Sequence, residues 1–338
     1  MLTPPLLSVE NLTIAFPGKT GDSIVVDGVS FALNRGETVG VVGESGSGKS
    51  MTALSILRLI PEPGRVTGGT IALDGESILA LTEKALRRVR GGRIAMIFQD
   101  PMTSLNPVFT IGEQIAEAVR LHRAEEGLTG KAAWDEAVNA LRHVHIAEPE
   151  RRAKQFPHEL SGGMRQRVMI AMALACRPDV LLADEPTTAL DVTVQAQILS
   201  LIRELQREIG MAVLLITHDL AVVAETCDRV IVLYAGKVME MADAQSLFDD
   251  PKHPYTQGLL ASLPENAPQG ATRLTYIKGQ PPTNPGKITG CPFRARCPKV
   301  IPGVCEKPLP TVQLEPGRMI RCHLFTESGN TEASHAER

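Results

Sequence analysis

The sequence lacks any apolar run long enough to cross a bilayer, which takes roughly 18 residues or more. Its densest apolar stretch, Val168–Cys176, suits a buried helix instead. A transporter with fused membrane spans is thereby excluded. A basic block is missing too: 35 Lys and Arg stand against 38 Asp and Glu, for a formal net charge of -3. Short clusters such as Arg87-Arg88 and Arg151-Arg152 read as solvated helix faces, so the charge pattern predicts no nucleic-acid partner. The opening residues, MLTPPLLSVE, have neither the basic start nor the apolar core of a secretory signal. The expectation is a cytosolic chain that reaches a membrane only through other proteins. No internal repeat is visible.

Cysteine is scarce and unevenly placed. Of the six, Cys176 and Cys227 sit alone in apolar or helical contexts and read as small buried residues. Cys291, Cys297, Cys305 and Cys322 crowd into the last fifth of the chain. Their spacings, C-x5-C, C-x7-C and C-x16-C, are neither the C-x2-C pairs of zinc ribbons nor the C-x2-C-x2-C run of bacterial ferredoxins.

What is present is an α/β pattern. LLSVENLTIAF, SIVVDGVSFAL and ETVGVV alternate as strands over residues 6–42, with a turn at Asn34-Arg35-Gly36. A helix is expected from Lys49 to about Leu59, stopped by Pro61 and Pro63. GGTIALDG and RIAMIF add strands, and residues 111–178 look mostly helical. Strand and helix then alternate through VLLAD (180–184), AVLLIT (212–217) and RVIVLYAG (229–236), the order of a mainly parallel sheet with crossover helices. The helical block, about residues 100–178, looks inserted between two sheet-forming halves. Beyond residue 250 proline and glycine accumulate, and the final ESGNTEASHAER reads as disordered.

Three segments carry chemistry. Gly43-Glu44-Ser45-Gly46-Ser47-Gly48-Lys49-Ser50 fits G-x-x-x-x-G-K-[ST], between a strand and a helix as a phosphate loop requires. Its glycines let backbone N–H groups turn toward phosphate oxygens, and the helix adds its positive end. Lys49 would reach the β- and γ-phosphates, and Ser50 would bind Mg²⁺. Val180–Glu185 is a buried strand ending in two acids. Asp184 would hold Mg²⁺, and Glu185 would act as general base toward the attacking water. In Leu160-Ser161-Gly162-Gly163-Met164-Arg165-Gln166-Arg167, a Ser-Gly-Gly turn enters a helix. Ser161 can cap it, and the free N–H groups form a second anion site.

That last segment resembles the signature motif LSGGQ of the ATP-binding cassette (ABC) family, with Met164 in the Gln position. The remaining family elements occur in order over residues 6–250. Gln99 in FQDP resembles the Q-loop glutamine, which contacts the γ-phosphate and Mg²⁺ and links to membrane subunits. Ala189-Leu190-Asp191 resembles the D-loop, and His218 the switch histidine that holds the γ-phosphate. Phe16 stands where the family places an aromatic stacked on adenine. The resemblance implies an ABC-type P-loop NTPase: a mainly parallel sheet core, an antiparallel β subdomain, an inserted helical subdomain and a small Cys-rich C-terminal extension. It implies ATP as ligand, contacted by Gly43, Glu44, Ser45, Gly46, Ser47, Gly48, Lys49 and Ser50. Ser161, Gly162, Gly163, Asp191 and His218 of the family's motifs also face ATP. In the family two chains pair head to tail, so that the signature turn of one meets the ATP of the other.

QDPMTSLNPVFTIGEQI, DVTVQAQIL and HPYTQGLLASLP resemble a narrower branch, the ATP-binding subunits of dipeptide and oligopeptide importers, as does the tail GQPPTNP…GCPFRARCP…C…RCH. This resemblance implies a second ATPase chain, two membrane permeases and an extracytoplasmic binding protein, with the chain peripheral on the cytoplasmic face of the inner membrane. It also favours a [4Fe–4S] cluster on the four late cysteines. Zn²⁺, disulfides and free thiols are the other readings, and a metal staple would support a segment poor in core. The expected domains are residues 6–250 for nucleotide binding, 251–325 for the C-terminal part with the cysteines, and 326–338 for a disordered tail. The competing reading is a soluble ABC ATPase acting on DNA or ribosomes. Its usual long coiled-coil insertion or second cassette is absent. A non-catalytic ATP-binding module would have lost Glu185 or His218, and both are present.

Overall fold

The structure is a computed structural model. It describes residues 4–19, 21–100, 104–188, 190–263, 275–282 and 285–326. The chain forms two compact units. One comprises Met1–Leu7, Leu33–Thr38 and Leu73–Ile216; the other Ser8–Ala32, Val39–Ala72 and Thr217–Arg338.

Strands are numbered along the chain: β1 Leu7–Phe16, β2 Ser23–Leu33, β3 Thr38–Val42, β4 Arg65–Leu73, β5 Glu76–Ser77, β6 Ile94–Ile97, β7 Val180–Asp184, β8 Ala212–Ile216, β9 Arg229–Tyr234, β10 Lys237–Asp243, β11 Val312–Glu315 and β12 Arg318–Ile320.

In the second unit β1 lies between β2 and β4. A further row runs β11, β12, β10, β9, β3. β3 and β9 are parallel, with Val39 opposite Arg229 and Val42 opposite Val232. The other pairs in that row are antiparallel. Every residue of β3 is buried, as its short, mostly β-branched run suits a strand covered on both faces. The helix after it, Lys49–Ile56, ends short of Leu59 because Arg58 turns left-handed at φ 52.

The proline-rich C-terminal part does not stand apart. β11 and β12 extend the edge of β10, and Phe293 is 1% exposed. Phe293 meets the Tyr234 ring edge-on at 5.3 Å and tilts against Tyr255 at 5.3 Å; the two tyrosines lie 4.6 Å apart. Such pairs contribute about 0.5–1.5 kcal/mol each beyond their buried area. This segment therefore shares a core with β9 and needs no metal to supply one.

In the first unit β6, β7 and β8 are parallel neighbours, with Val180 of β7 between Ile94 and Ala212. β7 and β8 are wholly buried. The helices Ile111–His122 and Gly130–His143 pack on each other and on Gly162–Leu174, the first capped by Thr110, whose hydroxyl accepts the Glu113 N–H. Arg123, buried at the end of the first, donates to Glu126, Glu136 and the carbonyl of Ala175. The helix Val192–Ile209 buries Ile198, Leu201, Ile202 and Leu205, a single face at helical spacing, and stops at Gly210 with φ 74.

Candidate nucleotide site

In the second unit the phosphate loop is shaped by its glycines and tied by its own chain. Gly43 has φ 151, and a Cβ there would lie 2.1 Å from the Leu233 carbonyl oxygen, so no other residue fits. Gly48 has φ 100, with the Val25 carbonyl 2.9 Å from the same point. Lys49 folds back over the loop: its Nζ donates to the carbonyls of Gly43 at 2.7 Å and Glu44 at 3.0 Å. The Ser47 N–H donates to Glu44, and the Ser47 carbonyl accepts from the Gly236 N–H. The Ser47 hydroxyl is buried without a hydrogen-bond partner. A buried hydroxyl left unpaired costs about 1–3 kcal/mol. A phosphate oxygen is a fitting acceptor, so the loop suits a nucleoside triphosphate.

Phe16, at the end of β1, is half-buried, and its ring edge lies over Gly64 together with Ile60. His218 is exposed. It stands between Thr217, whose N–H donates to Val41, and Asp219, which caps the helix Leu220–Thr226.

In the first unit the end of β7 gathers the other groups. Asp184 is 5% exposed. Glu185 follows with φ 48, a left-handed backbone rare outside glycine and costing about 1–3 kcal/mol. Its N–H donates to Ile216 at 2.8 Å. One carboxylate oxygen accepts from Gln99 Nε2 at 2.9 Å and from the Thr188 hydroxyl at 2.8 Å. The backbone strain is thus held by bonds on both sides of the residue. The side-chain oxygens of Asp184 and Gln99 are of the kind that suits a hard cation such as Mg²⁺.

The Ser161 hydroxyl caps the helix Gly162–Leu174, accepting the Met164 N–H at 3.4 Å. Ser161 and Gly162 are exposed. Nothing would touch a Cβ at Gly162, whereas one at Gly163 would meet Val194 at 3.1 Å. One turn into the helix, the buried Gln166 donates its side-chain amide to the Pro186 carbonyl. Asp191 caps the helix Val192–Ile209 by accepting the Val194 N–H at 3.0 Å. Ala189 of the D-loop lies outside the described residues.

The geometry thus brings Gln99 and Glu185 together in one unit, and Gly43 through Lys49 together in the other. Sequence reasoning missed Thr188, Gln166, Tyr255 and Arg296. All four lie in or beside segments already singled out, but the partners of Gln166, Tyr255 and Arg296 are remote in sequence, and Thr188 meets Glu185 only through the turn between them.

A phosphate loop after a buried parallel strand, a strand ending in Asp-Glu, and a Ser-Gly-Gly helix start define the class of ATP-binding cassette proteins. Residues 26–188 match the family model described as ABC transporter, and residues 239–305 that described as Oligopeptide/dipeptide transporter, C-terminal region. A probable peptide ABC transporter ATP-binding protein of Sinorhizobium fredii is 52% identical over 328 residues, 96% of each chain. The oligopeptide transport ATP-binding protein OppD of Escherichia coli is 49% identical over 317 residues, 94% of this chain and 92% of that one. Among solved structures, a dimeric ATP-binding cassette in a post-hydrolysis state with ADP and Pi is similar at a TM-score of 0.63 and 30% identity, covering 70% of this chain and 98% of that one. The chain belongs to the ABC transporter family, within the group of its ATP-binding, ATP-hydrolysing proteins that carry the oligopeptide/dipeptide C-terminal region.

One expectation is corrected. Cys291, Cys297, Cys305 and Cys322 were read as ligands of a [4Fe–4S] cluster, with Zn²⁺ as the alternative. Among the described residues no group of three or more His, Cys, Asp or Glu is placed to hold a metal ion. The relatives above are described as ATP-binding proteins. The thiols have other occupations. Burial pushes Cys291 up to about 11 and Cys322 up to about 12, and raises Cys297. The Cys297 sulfur accepts the Lys299 N–H, and the Cys305 sulfur accepts the Ile301 N–H. The Cys291 N–H donates to the Cys305 carbonyl at 2.9 Å, which ties the two turns through backbone rather than metal.

No described helix is long and apolar enough to cross a membrane.

Proposed function

We propose that this chain is the ATP-hydrolysing subunit of an importer of di- or oligopeptides or related small solutes. It works with a second ATPase chain, two permeases and an extracytoplasmic binding protein at the cytoplasmic face of the inner membrane. The observation that carries the hydrolytic role is Glu185 on its strained backbone, with its carboxylate held by Gln99 and Thr188. Restraint of this kind keeps a general base in position at no cost during the reaction.

In this reading Gly43 to Gly48 and the Ser47 hydroxyl bind the phosphates, Lys49 turns from its loop carbonyls to the β- and γ-phosphates, and Phe16 stacks on adenine. Glu185 takes a proton from the attacking water, and His218 holds the γ-phosphate. Ser50, Asp184 and Gln99 would hold Mg²⁺, which when bound offsets charge on the phosphates. Ser161, Gly162 and Gly163, with Asp191, serve the nucleotide of a partner chain in a head-to-tail dimer. The dimeric post-hydrolysis cassette supports that pairing by analogy. ATP closes the pair and hydrolysis releases it, and this cycle drives the permeases. The domains proposed are residues 6–250 for nucleotide binding, with a helical part at about 100–178, and 251–325 for the C-terminal part. Nearly all of the proposed tail lies outside the described residues.

Peptide transport as the task is supported by the printed names of relatives covering nearly the whole chain and by the C-terminal family match. The same findings disfavour a soluble ATPase acting on nucleic acid. The test is Glu185→Gln in the assembled transporter. ATP binding should persist while steady-state hydrolysis falls roughly 10²–10⁴-fold. Hydrolysis at a near-normal rate would refute the role given to Glu185.

A further inference from the structure

The phosphate loop and the C-terminal cysteine segment, far apart in sequence, meet at one residue. Arg296 places its two terminal nitrogens on the two carboxylate oxygens of Glu44, at 2.6 and 2.9 Å. The pair spans 252 positions of sequence. The Arg296 side chain is 5% exposed and that of Glu44 26%. The guanidinium is fixed from behind: it donates to the Lys278 carbonyl at 3.0 Å, the Ile277 carbonyl at 3.2 Å and the Tyr234 hydroxyl at 3.2 Å. Gly279, with φ 81, passes close over its stem. Tyr255 grips the same loop residue by its backbone, its hydroxyl accepting the Glu44 N–H at 2.9 Å. The second residue of the loop is therefore held by side chain and main chain together, and both holders come from beyond residue 250.

We infer that the C-terminal segment sets the nucleotide affinity of the phosphate loop, with Arg296 as a positioning residue that acts through Glu44. Two physical effects follow from the geometry. A carboxylate on the loop repels an arriving triphosphate unless a cation neutralises it, and a buried bidentate arginine does so in a fixed direction. The Tyr255 bond also fixes the Gly43–Glu44 peptide, whose Gly43 carbonyl is one of the two that Lys49 grips. Removing Arg296 leaves a charge on the loop and frees its first turn, both at the expense of ATP binding. The inference rests on reading residues 43–50 as the nucleotide site.

The test measures Kd for a fluorescent ATP analogue with Mg²⁺, and KM against kcat for hydrolysis, in the full chain with its transporter partners. Arg296→Ala should weaken binding and raise KM roughly tenfold, within the range usual for coupled sites, with kcat changed less than KM. Glu44→Gln in the Arg296→Ala background should restore most of the affinity, which general damage to the fold would not allow. Arg296→Lys, which keeps the charge but loses the fork, should fall between. Arg296→Ala with wild-type Kd and KM would overturn the inference, as would failure of Glu44→Gln to restore affinity in a folded double variant. If Arg296→Ala does not fold, Arg296→Gln in the full-length chain, which keeps a polar side chain but removes the charge, must raise Kd; an unchanged Kd overturns the inference. Lys49→Ala separates the two readings. If Lys49→Ala loses the analogue and Arg296→Ala does not, only the role of Arg296 fails. If Lys49→Ala binds as well as wild type, the loop assignment fails and this inference with it.

Discussion

The phosphate loop and the signature turn are both glycine-containing starts of helices, yet the structure treats them in opposite ways. The loop is closed by its own unit: Lys49 bonds back to Gly43 and Glu44, Gly236 donates to Ser47, and a Cβ at Gly43 would strike Leu233. The signature turn is open. Ser161 and Gly162 are exposed, and a Cβ at Gly162 would meet nothing within 4 Å. Glycine at 43 is demanded by the fold. Glycine at 162 is not, since a side chain there would meet no neighbour. The contrast teaches that the first turn is closed by contacts within its own unit, whereas the second is left open at the surface.

Substitutions can break that contrast, and the largest effect should come from Gly43→Ala. The clash with a backbone oxygen and the strained φ should destabilise the loop by about 3 kcal/mol or more and abolish nucleotide binding. Thermal unfolding and analogue binding would show it, and a variant that binds ATP normally would erase the distinction. Lys49→Ala should leave the fold intact but lower hydrolysis roughly 10²–10³-fold through loss of a donor to the phosphates. An unchanged turnover would mean that its loop-bridging bonds are its whole function.

Gly162→Ala sharpens the comparison most. Stability should stay within about 0.5 kcal/mol of wild type or rise slightly, and the nucleotide affinity of the chain itself should not move. Hydrolysis in the assembled transporter should fall about tenfold or more, as expected when a contact to a charged oxygen is lost. Equal loss of stability and activity would put the glycine back under the control of the fold.

The smallest effect concerns acid. His253 caps the helix Pro254–Ala261, its Nδ1 accepting the Tyr255 N–H, while its Nε2 is buried without a partner. Burial pulls its pKa down to about 3, so it is neutral in the folded protein. The unfolded chain takes up a proton near pH 6.5. Stability is therefore complete above that pH and declines as pH falls from about 6.5 toward 3, by at most about 1.4 kcal/mol per unit. Denaturant melts at pH 7 and 5.5 should differ accordingly in wild type and much less in His253→Asn. The loss should appear in the C-terminal part before the signature helix responds.

Much of this was legible because the information is local. The runs TVGVV and VLLAD announce strands buried on both faces, and both are. Ser161 caps its helix at the position its neighbours suggest. The cysteines misled because spacing shows only that thiols are near one another along the chain. Their burial and their bonds to Lys299 and Ile301 amides depend on how the turns pack. The weak composition of residues 251–290 suggested a segment without a core. It did not reveal that Phe293 would join Tyr234 and Tyr255.

The order of the main strands and helices up to β9, the glycines of the phosphate loop and the Asp-Glu strand end were determined by the sequence alone, since periodicity and turn chemistry act over a few residues. Tertiary structure alone decided that Arg296 would answer Glu44, that Gln166 would reach Pro186, and that burial would raise the Cys291 and Cys322 thiols. Those outcomes depend on burial and on partners remote in sequence, and both exist only once the chain has packed.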